Sequence, residues 1–280
     1  MNTKDLYAQI QAKKTMLCVG LDTDFNKMPE HIQRLASDGE IAVRGELLKG
    51  TARSLYEFNK AIIDATSEHC VAYKPNLAFY ECYGREGMLA LEKTVDYIRN
   101  NHPEQFIIAD AKRGDIGNTA KMYAKTYFET MDFDAVTISP YMGSETVTPF
   151  LEYPGKFAIV VALSSNKSSA DFQMAQQNGK PLYQEVMEKM MSISNPDNMM
   201  FVVGATKADK LAEIRKFCPD NFFLVPGVGA QGGSAEEVIA HGANAMGGLL
   251  INSSRGIIYA SNGEDFAEAA GRAAAATANI

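Results

Sequence analysis

Eight short apolar runs recur along the chain, and stretches of helical spacing separate them. That alternation constrains the fold more than any single motif does. A short β-prone run bounded by polar residues reads as a strand buried on both faces. The runs are Met16–Leu21, Val71–Tyr73, Phe106–Ala109, Ala135–Ile138, Phe157–Leu163, Met200–Val203, Phe222–Val225 and Ala245–Ile251. Helical stretches fall at Gly45–His69, Gly84–Asn101, Gly117–Met131, Pro181–Ile193 and Lys207–Phe217, then after Ser234 and in the Ala-rich tail from Glu264. Ser234 with Glu237 three residues on reads as a capping box, a helix start. Eight strand candidates, seven of them followed by a helical stretch, in 280 residues match one (β/α)8 TIM barrel domain over residues 1–280. A doubly wound sheet is the competing arrangement. No linker, charge run or low-complexity tract divides the chain. Asp22–Gly45 and Asn166–Lys180 are long for loops of this fold and are candidate covers over a site.

The barrel reading turns attention to strand ends, because this fold builds its active site at the C-terminal ends of its strands. Those ends supply Asp22, Lys74, Asp110, Lys112, Ser165, Pro226 and Arg255. The densest is Asp110-Ala-Lys112-Arg-Gly-Asp115, directly after the third run. Asp110 and Lys112 are two apart, which puts both on one face of an extended segment. Such charges are costly out of water unless paired, and clustered perturbed charges mark functional sites. A solvated turn is the bland alternative; it does not explain why Asp22, Lys74, Ser165 and Arg255 also fall at strand ends, which the fold would bring around one mouth.

The opposite side of the mouth reads as a phosphate site. Gly227-Val-Gly229-Ala-Gln231-Gly-Gly233 fits G-x-G-x-x-G, a weak signal alone. A dinucleotide site expects an acid about 20 residues on. Here that region is Leu250-Ile-Asn252-Ser253, without one. Loops after the seventh and eighth strands of a barrel often bind phosphate through backbone N–H groups. Ser254-Arg255-Gly256 adds a forked cation suited to it.

Composition excludes other classes. The net charge of −7 argues against general nucleic-acid or anionic-membrane binding. The N-terminal MNTKDLYAQIQAKK lacks an apolar signal core, and no run of 18 apolar residues exists. Cys18, Cys70, Cys82 and Cys218 form no C-x-x-C pair, which favours a reducing cytoplasm. His31, His69, His102 and His241 have no metal-ligand spacing, so no metal is expected.

With these residues in view, the sequence resembles the orotidine 5′-phosphate decarboxylases, in particular the longer bacterial subfamily. Asp110-Ala-Lys112-Arg-Gly-Asp115-Ile116-Gly-Asn-Thr119 is similar to that family's D-x-K-x-x-D-[IV]-x-x-T signature. Tyr73-Lys74-Pro75-Asn76, Ser139-Pro-Tyr-Met-Gly143, Ala170-Asp-Phe-Gln173, Pro226–Gly233 and Ser253-Ser-Arg255-Gly256 extend the likeness over most of the chain. The resemblance implies decarboxylation of orotidine 5′-phosphate to UMP, the last step of de novo UMP synthesis, without metal or cofactor, by a homodimer with sites at the subunit interface. It implies that Lys112 protonates the pyrimidine C6, that Asp110 lies beside the substrate carboxylate, and that Lys74 and Asp115 complete the charge network. Asp115, Ile116 and Thr119 would reach the neighbouring subunit's site. Asp22 would bind ribose, Ser165 the base, Pro226 and Gln231 the base and phosphate, and Arg255 the phosphate. The family's Ser-Asn-Pro-Gly is here Ser165-Asn-Lys-Ser168, which leaves open whether Ser164 or Ser165 faces the base. Two other readings stand beside this one: a metal-dependent barrel enzyme acting on a sugar phosphate, and a non-catalytic phosphate-metabolite binder.

Overall fold

Eight parallel strands close on themselves in the order β1-β8-β7-β6-β5-β4-β3-β2, with β2 pairing back to β1. They are β1 Leu17–Leu21, β2 Ala72–Pro75, β3 Phe106–Arg113, β4 Ala135–Ile138, β5 Phe157–Leu163, β6 Met199–Val203, β7 Phe223–Pro226 and β8 Leu249–Ser253. The computed structural model describes residues 1–228 and 234–278. The (β/α)8 barrel expected from the alternation is therefore the fold, and the doubly wound sheet is not.

Strand periodicity builds two apolar layers. Side chains of one parity, including Cys18, Phe106, Ile108, Phe157, Met200 and Leu250, fill the barrel interior. Those of the other parity, including Val19, Tyr73, Ile107, Val136 and Phe201, pack under the surrounding helices. Phe106 and Phe157 meet edge-on inside the barrel, ring centroids 5.6 Å apart. Each fully buried side chain of this size contributes about 1.5–3 kcal/mol relative to leaving it exposed. The helix Thr3–Lys13 sends Leu6 and Ile10 into the interior cluster. Asn2 and Asp5 form a reciprocal capping box at its start.

The same parity delivers the polar residues. Two positions beyond an interior apolar residue lies the next inward position. Ala72 leads to Lys74, Ile108 to Asp110, Ala135 to Thr137, and Leu250 to Asn252, all buried.

The structure corrects several expected boundaries. The third strand does not end at Ala109 but runs on, through an irregularity, to Arg113. The eighth strand begins at Leu249, not Ala245, because Asn244 and Gly247 close a turn and Gly247 and Gly248 both have positive φ. The second long helix starts at Gly50 rather than Gly45, since a hairpin of Ile41–Val43 with Glu46–Leu48 occupies the preceding segment. The Gly117–Met131 stretch is α-helical to Lys125 and then widens to a π-turn over Thr126–Thr130. Asn166–Lys180 is not featureless: it holds a 3₁₀ turn, Lys167–Asp171, and a small two-stranded ladder of Gln176–Gln177 with Lys180–Pro181.

Candidate active site

At the C-terminal mouth of the barrel, Asp110 accepts from two ammonium groups. Lys74 Nζ lies 2.8 Å from Oδ2, and Lys112 Nζ lies 2.5 Å from Oδ1. The two lysines differ in setting. Lys74 is 4% exposed, Asp110 9%, and Lys112 56%. Burial opposes the charge on Asp110, but the ammoniums of Lys74 and Lys112 outweigh it and hold the carboxyl well below the usual carboxylate range. Burial likewise opposes the charge on Lys74, and Asp110 with Asp22 outweighs it, so Lys74 is held protonated above the usual ammonium range. A buried carboxylate fixed between two cations is therefore ionised at neutral pH and offers a rigid negative point at the mouth.

Asp110 and Lys112 meet as expected, but not through regular extended backbone. Ala109 pairs with Val136 and Arg113 with Ile138, so β3 uses four steps where β4 uses two. The excess is a bulge in which Lys112 takes φ +46°, a conformation non-glycine residues avoid. Thr137 steadies it. Its hydroxyl accepts from Lys112 N at 2.9 Å and donates to Asp110 Oδ1 at 3.0 Å. Thr137 was not among the expected site residues. Its signal was present: it is the inward position of the fourth run, two beyond Ala135, level with Asp110.

Asp22 extends the mouth beyond β1. Its Oδ1 is buried and has no hydrogen-bond partner among the described residues, so it can accept from a hydroxyl. Its backbone is fixed: the Tyr259 hydroxyl donates to Asp22 O at 3.0 Å and accepts from Asp24 N at 2.7 Å. Below it, the Tyr80 hydroxyl donates to Leu21 O and joins a buried network with Thr23, Asn59 and Thr94. Cys18 and Asn252 lie deeper, with the thiol donating to Asn252 Oδ1 at 3.7 Å. Burial pushes that thiol well above its ordinary range, which favours the neutral thiol over the reactive thiolate.

Beyond β5, Ser164 is committed. Its N–H donates to Gln173 Oε1 at 2.7 Å, its hydroxyl to Asn166 Oδ1 at 2.7 Å, and Gln173 Nε2 donates back at 2.9 Å. Ser165 is held by its backbone instead. Its carbonyl accepts from the Thr206 hydroxyl at 3.0 Å. A Cβ on Gly204 would fall 2.6 Å from Ser165 N and Cα, so only glycine permits that approach. Among the described residues nothing bonds the Ser165 hydroxyl, which leaves it the freer of the two. Gln173 is a further residue that sequence reasoning did not single out for a role.

Pro226 closes β7 at the rim, and Arg255 opens a short helix after β8, exposed and without an ion pair among the described residues. Gln231 and the surrounding glycine-rich segment, residues 229–233, lie outside the described residues.

Asp115, Ile116 and Thr119 do not join the charge array of their own chain. Asp115 Oδ1 accepts from Ile116 N at 2.8 Å, and among the described residues no cation pairs with it. Ile116 is exposed, as are Met122, Tyr141 and Met142 on the same helix and on the neighbouring loop after β4. Among the described residues no three His, Cys, Asp or Glu side chains converge as a metal site.

The chain is similar to known proteins over nearly its whole length. A family model described as orotidine 5′-phosphate decarboxylase / HUMPS family matches residues 15–270. The chain is 54% identical over 275 residues to the orotidine 5′-phosphate decarboxylase of Phocaeicola vulgatus, covering 98% of this chain and 95% of that one. It is 52% identical over 270 residues to the corresponding protein of Flavobacterium johnsoniae, covering 96% and 93%. Among solved structures, the OMP decarboxylase of Leishmania donovani superimposes with a TM-score of 0.78 at 35% identity, covering 97% of this chain and 95% of that one.

Proposed function

Because the chain belongs to the orotidine 5′-phosphate decarboxylase / HUMPS family, we infer that it decarboxylates orotidine 5′-phosphate to UMP and CO2, the last step of UMP biosynthesis. The observation that carries the reading is the Lys74–Asp110–Lys112 array, held at 2.8 and 2.5 Å at the mouth of the barrel.

The chemistry asks for this arrangement. When the bond from C6 to the carboxylate breaks, its electron pair stays on C6, where no adjacent carbonyl delocalises it. A cation already in place beside that carbon stabilises the charge as it develops. We assign this role to Lys112, whose exposed ammonium can reach a bound ligand and then pass its proton to C6 as CO2 leaves. Solvent returns the proton to the lysine. Asp110, kept ionised by the two lysines, lies beside the substrate carboxylate and fixes Lys112. Lys74 is the buried charge that keeps Asp110 ionised and in place.

The other roles follow from position. The Oδ1 of Asp22, without a partner among the described residues, suits a ribose hydroxyl. Ser165, rather than the committed Ser164, is assigned to the base. Pro226 lines the base, and Gln231 with Arg255 takes the phosphate. Asp115, Ile116 and Thr119 serve the site of a second copy, which the exposure of Ile116 and Thr119 and the lack of a cation on Asp115 among the described residues support. The exposed Met122, Tyr141 and Met142 would be covered in the same homodimer. Phosphate binding supplies energy remote from the reacting bond, and the Asn166–Lys180 segment is assigned to close over the ligand. Four unpaired thiols support a reducing, cytoplasmic setting. No metal or cofactor has a step in this scheme.

The test is loss of the orotate chromophore when orotidine 5′-phosphate meets the protein in excess chelator. Wild type should consume the substrate and Lys112→Ala should not. A wild-type protein that leaves the chromophore intact would overturn the reading. If orotidine 5′-phosphate is left intact, turnover of a sugar phosphate in the presence of added metal would move the assignment to the metal-dependent sugar-phosphate branch.

A further inference from the structure

We propose that Arg113 is a positioning residue for this reaction, holding the bulged backbone that aims Lys112 at Asp110; the proposal rests on the decarboxylase reading above.

The bulge creates the need. In a regular parallel ladder each carbonyl meets an N–H of the neighbouring strand. Between Ala109 and Arg113 the ladder to β4 is interrupted. Ala111 O, one residue before the left-handed Lys112, instead accepts from Arg113 Nη1 at 2.9 Å. Arg113 itself re-enters the ladder, its carbonyl accepting from Ser139 N at 2.7 Å. The side chain thus folds back to staple the bulge that its own backbone ends.

The other arm of the guanidinium anchors that staple. Nη2 pairs with Glu81, the last residue of the short helix Ala78–Glu81 that follows β2 and Lys74. The guanidinium also faces the rings of Tyr123 and Tyr127, 5.5 and 5.9 Å to the centroids. Those rings belong to the helix that carries Thr119 and to its π-turn. One planar cation therefore joins the segments bearing Lys74, Lys112 and Thr119. An ordinary surface ion pair would touch one element and be dispensable. Lysine cannot replace this fork, because a single ammonium lacks the spread donors that reach Ala111 O and Glu81 together.

The experiment compares wild type, Arg113→Lys and Glu81→Gln for steady-state decarboxylation, for binding of UMP, and for melting temperature. Misaiming Lys112 should cost Arg113→Lys roughly 10- to 100-fold in kcat. KM and the Kd for UMP should move by less than about threefold, because ground-state binding is retained. Glu81→Gln keeps the staple but loosens its anchor, so its kcat should fall less in the same direction. It also carries the test should Arg113→Lys not fold. A kcat within about twofold of wild type in the folded variants would overturn the proposal. So would a loss seen equally in KM and UMP affinity, since that marks a general structural defect. An inactive wild-type protein would instead sink the decarboxylase reading, and this proposal with it.

Discussion

Lys74 Nζ lies 2.8 Å from Asp110 Oδ2, and neither side chain is more than a tenth exposed. Lys112, on the other oxygen of the same carboxylate, is more than half exposed. This asymmetry separates two roles that the sequence presents alike. Removing one partner of a buried pair strands the other charge at a cost of about 3–5 kcal/mol. Lys74→Ala should therefore lower stability by that order in denaturant melts. An exposed ion pair contributes about 0–1 kcal/mol. Lys112→Ala should therefore melt near wild type while losing about 10³-fold or more in kcat. Equal destabilisation by the two variants would refute the division.

Acid should weaken the site pair before base does. The Asp110 carboxyl is depressed below its ordinary 3.8. Its contribution to stability is present above that value and is lost as pH falls through the depressed one. Lys74 is raised above its ordinary 10.5. Its contribution is present below that value and lost only as pH climbs past the raised one. Replacing both, as Lys74→Met with Asp110→Leu, removes the dependence. The stability difference between wild type and this double variant should be flat between about pH 5 and pH 9, and should move against wild type below about pH 4. Denaturant melts over that range measure it; a slope centred near neutrality would mean that another group controls the difference.

Thr137 links the Lys112 backbone to the Asp110 carboxylate with one hydroxyl. Thr137→Val keeps the volume and deletes both bonds. The stranded Lys112 N–H should cost about 1–3 kcal/mol, and kcat should fall roughly tenfold through the misplaced Lys112. Thr137→Ser, which keeps the hydroxyl, should restore most of the rate. A valine variant with full kcat would show that the bulge holds its shape without this tie.

How far the sequence foretold this site depends on what each feature leaves in the residue string. The strand ends were legible because period two links interior apolar residues to the polar residue at the mouth. The same rule applied to Ala135 reaches Thr137, so that omission was avoidable. The bulge was not legible. Lys112 at φ +46° has no residue signature, since its strain is borne by Thr137 and by neighbours distant in sequence. The Ile41–Leu48 hairpin was missed because its turn, Arg44-Gly45 with both φ positive, lacks the Asn-Gly or Asp-Gly pair that usually marks such a turn.

The Asn166–Lys180 segment separates binding from folding. Within it only Ser169 is buried, and Phe172 is 69% exposed. Replacing most of it with a short glycine linker should leave the melting temperature nearly unchanged. If the segment closes over the ligand, kcat/KM should fall by about 10²-fold or more. An unchanged kcat/KM would refute the lid role.

At the opposite end of the barrel, Arg215 gives a control in which stability and catalysis should part company. Its guanidinium lies 3.8 Å from the Phe223 ring centroid. It donates to the carbonyls of Gly242, Cys218, Pro219, Asn221 and Gly248. Among the described residues it makes no carboxylate pair, so it acts as a cap for loop carbonyls around the start of β7 and β8. Arg215→Ala would strand several of these acceptors and forfeit the ring contact. The expected loss is about 2–4 kcal/mol in denaturant melts. The bottom face of a barrel carries stability rather than chemistry. Turnover per folded molecule below the melting transition should therefore match wild type. A kcat loss at temperatures where the variant remains folded would mean that strain at the bottom of β7 and β8 reaches Pro226 and Arg255 at the top.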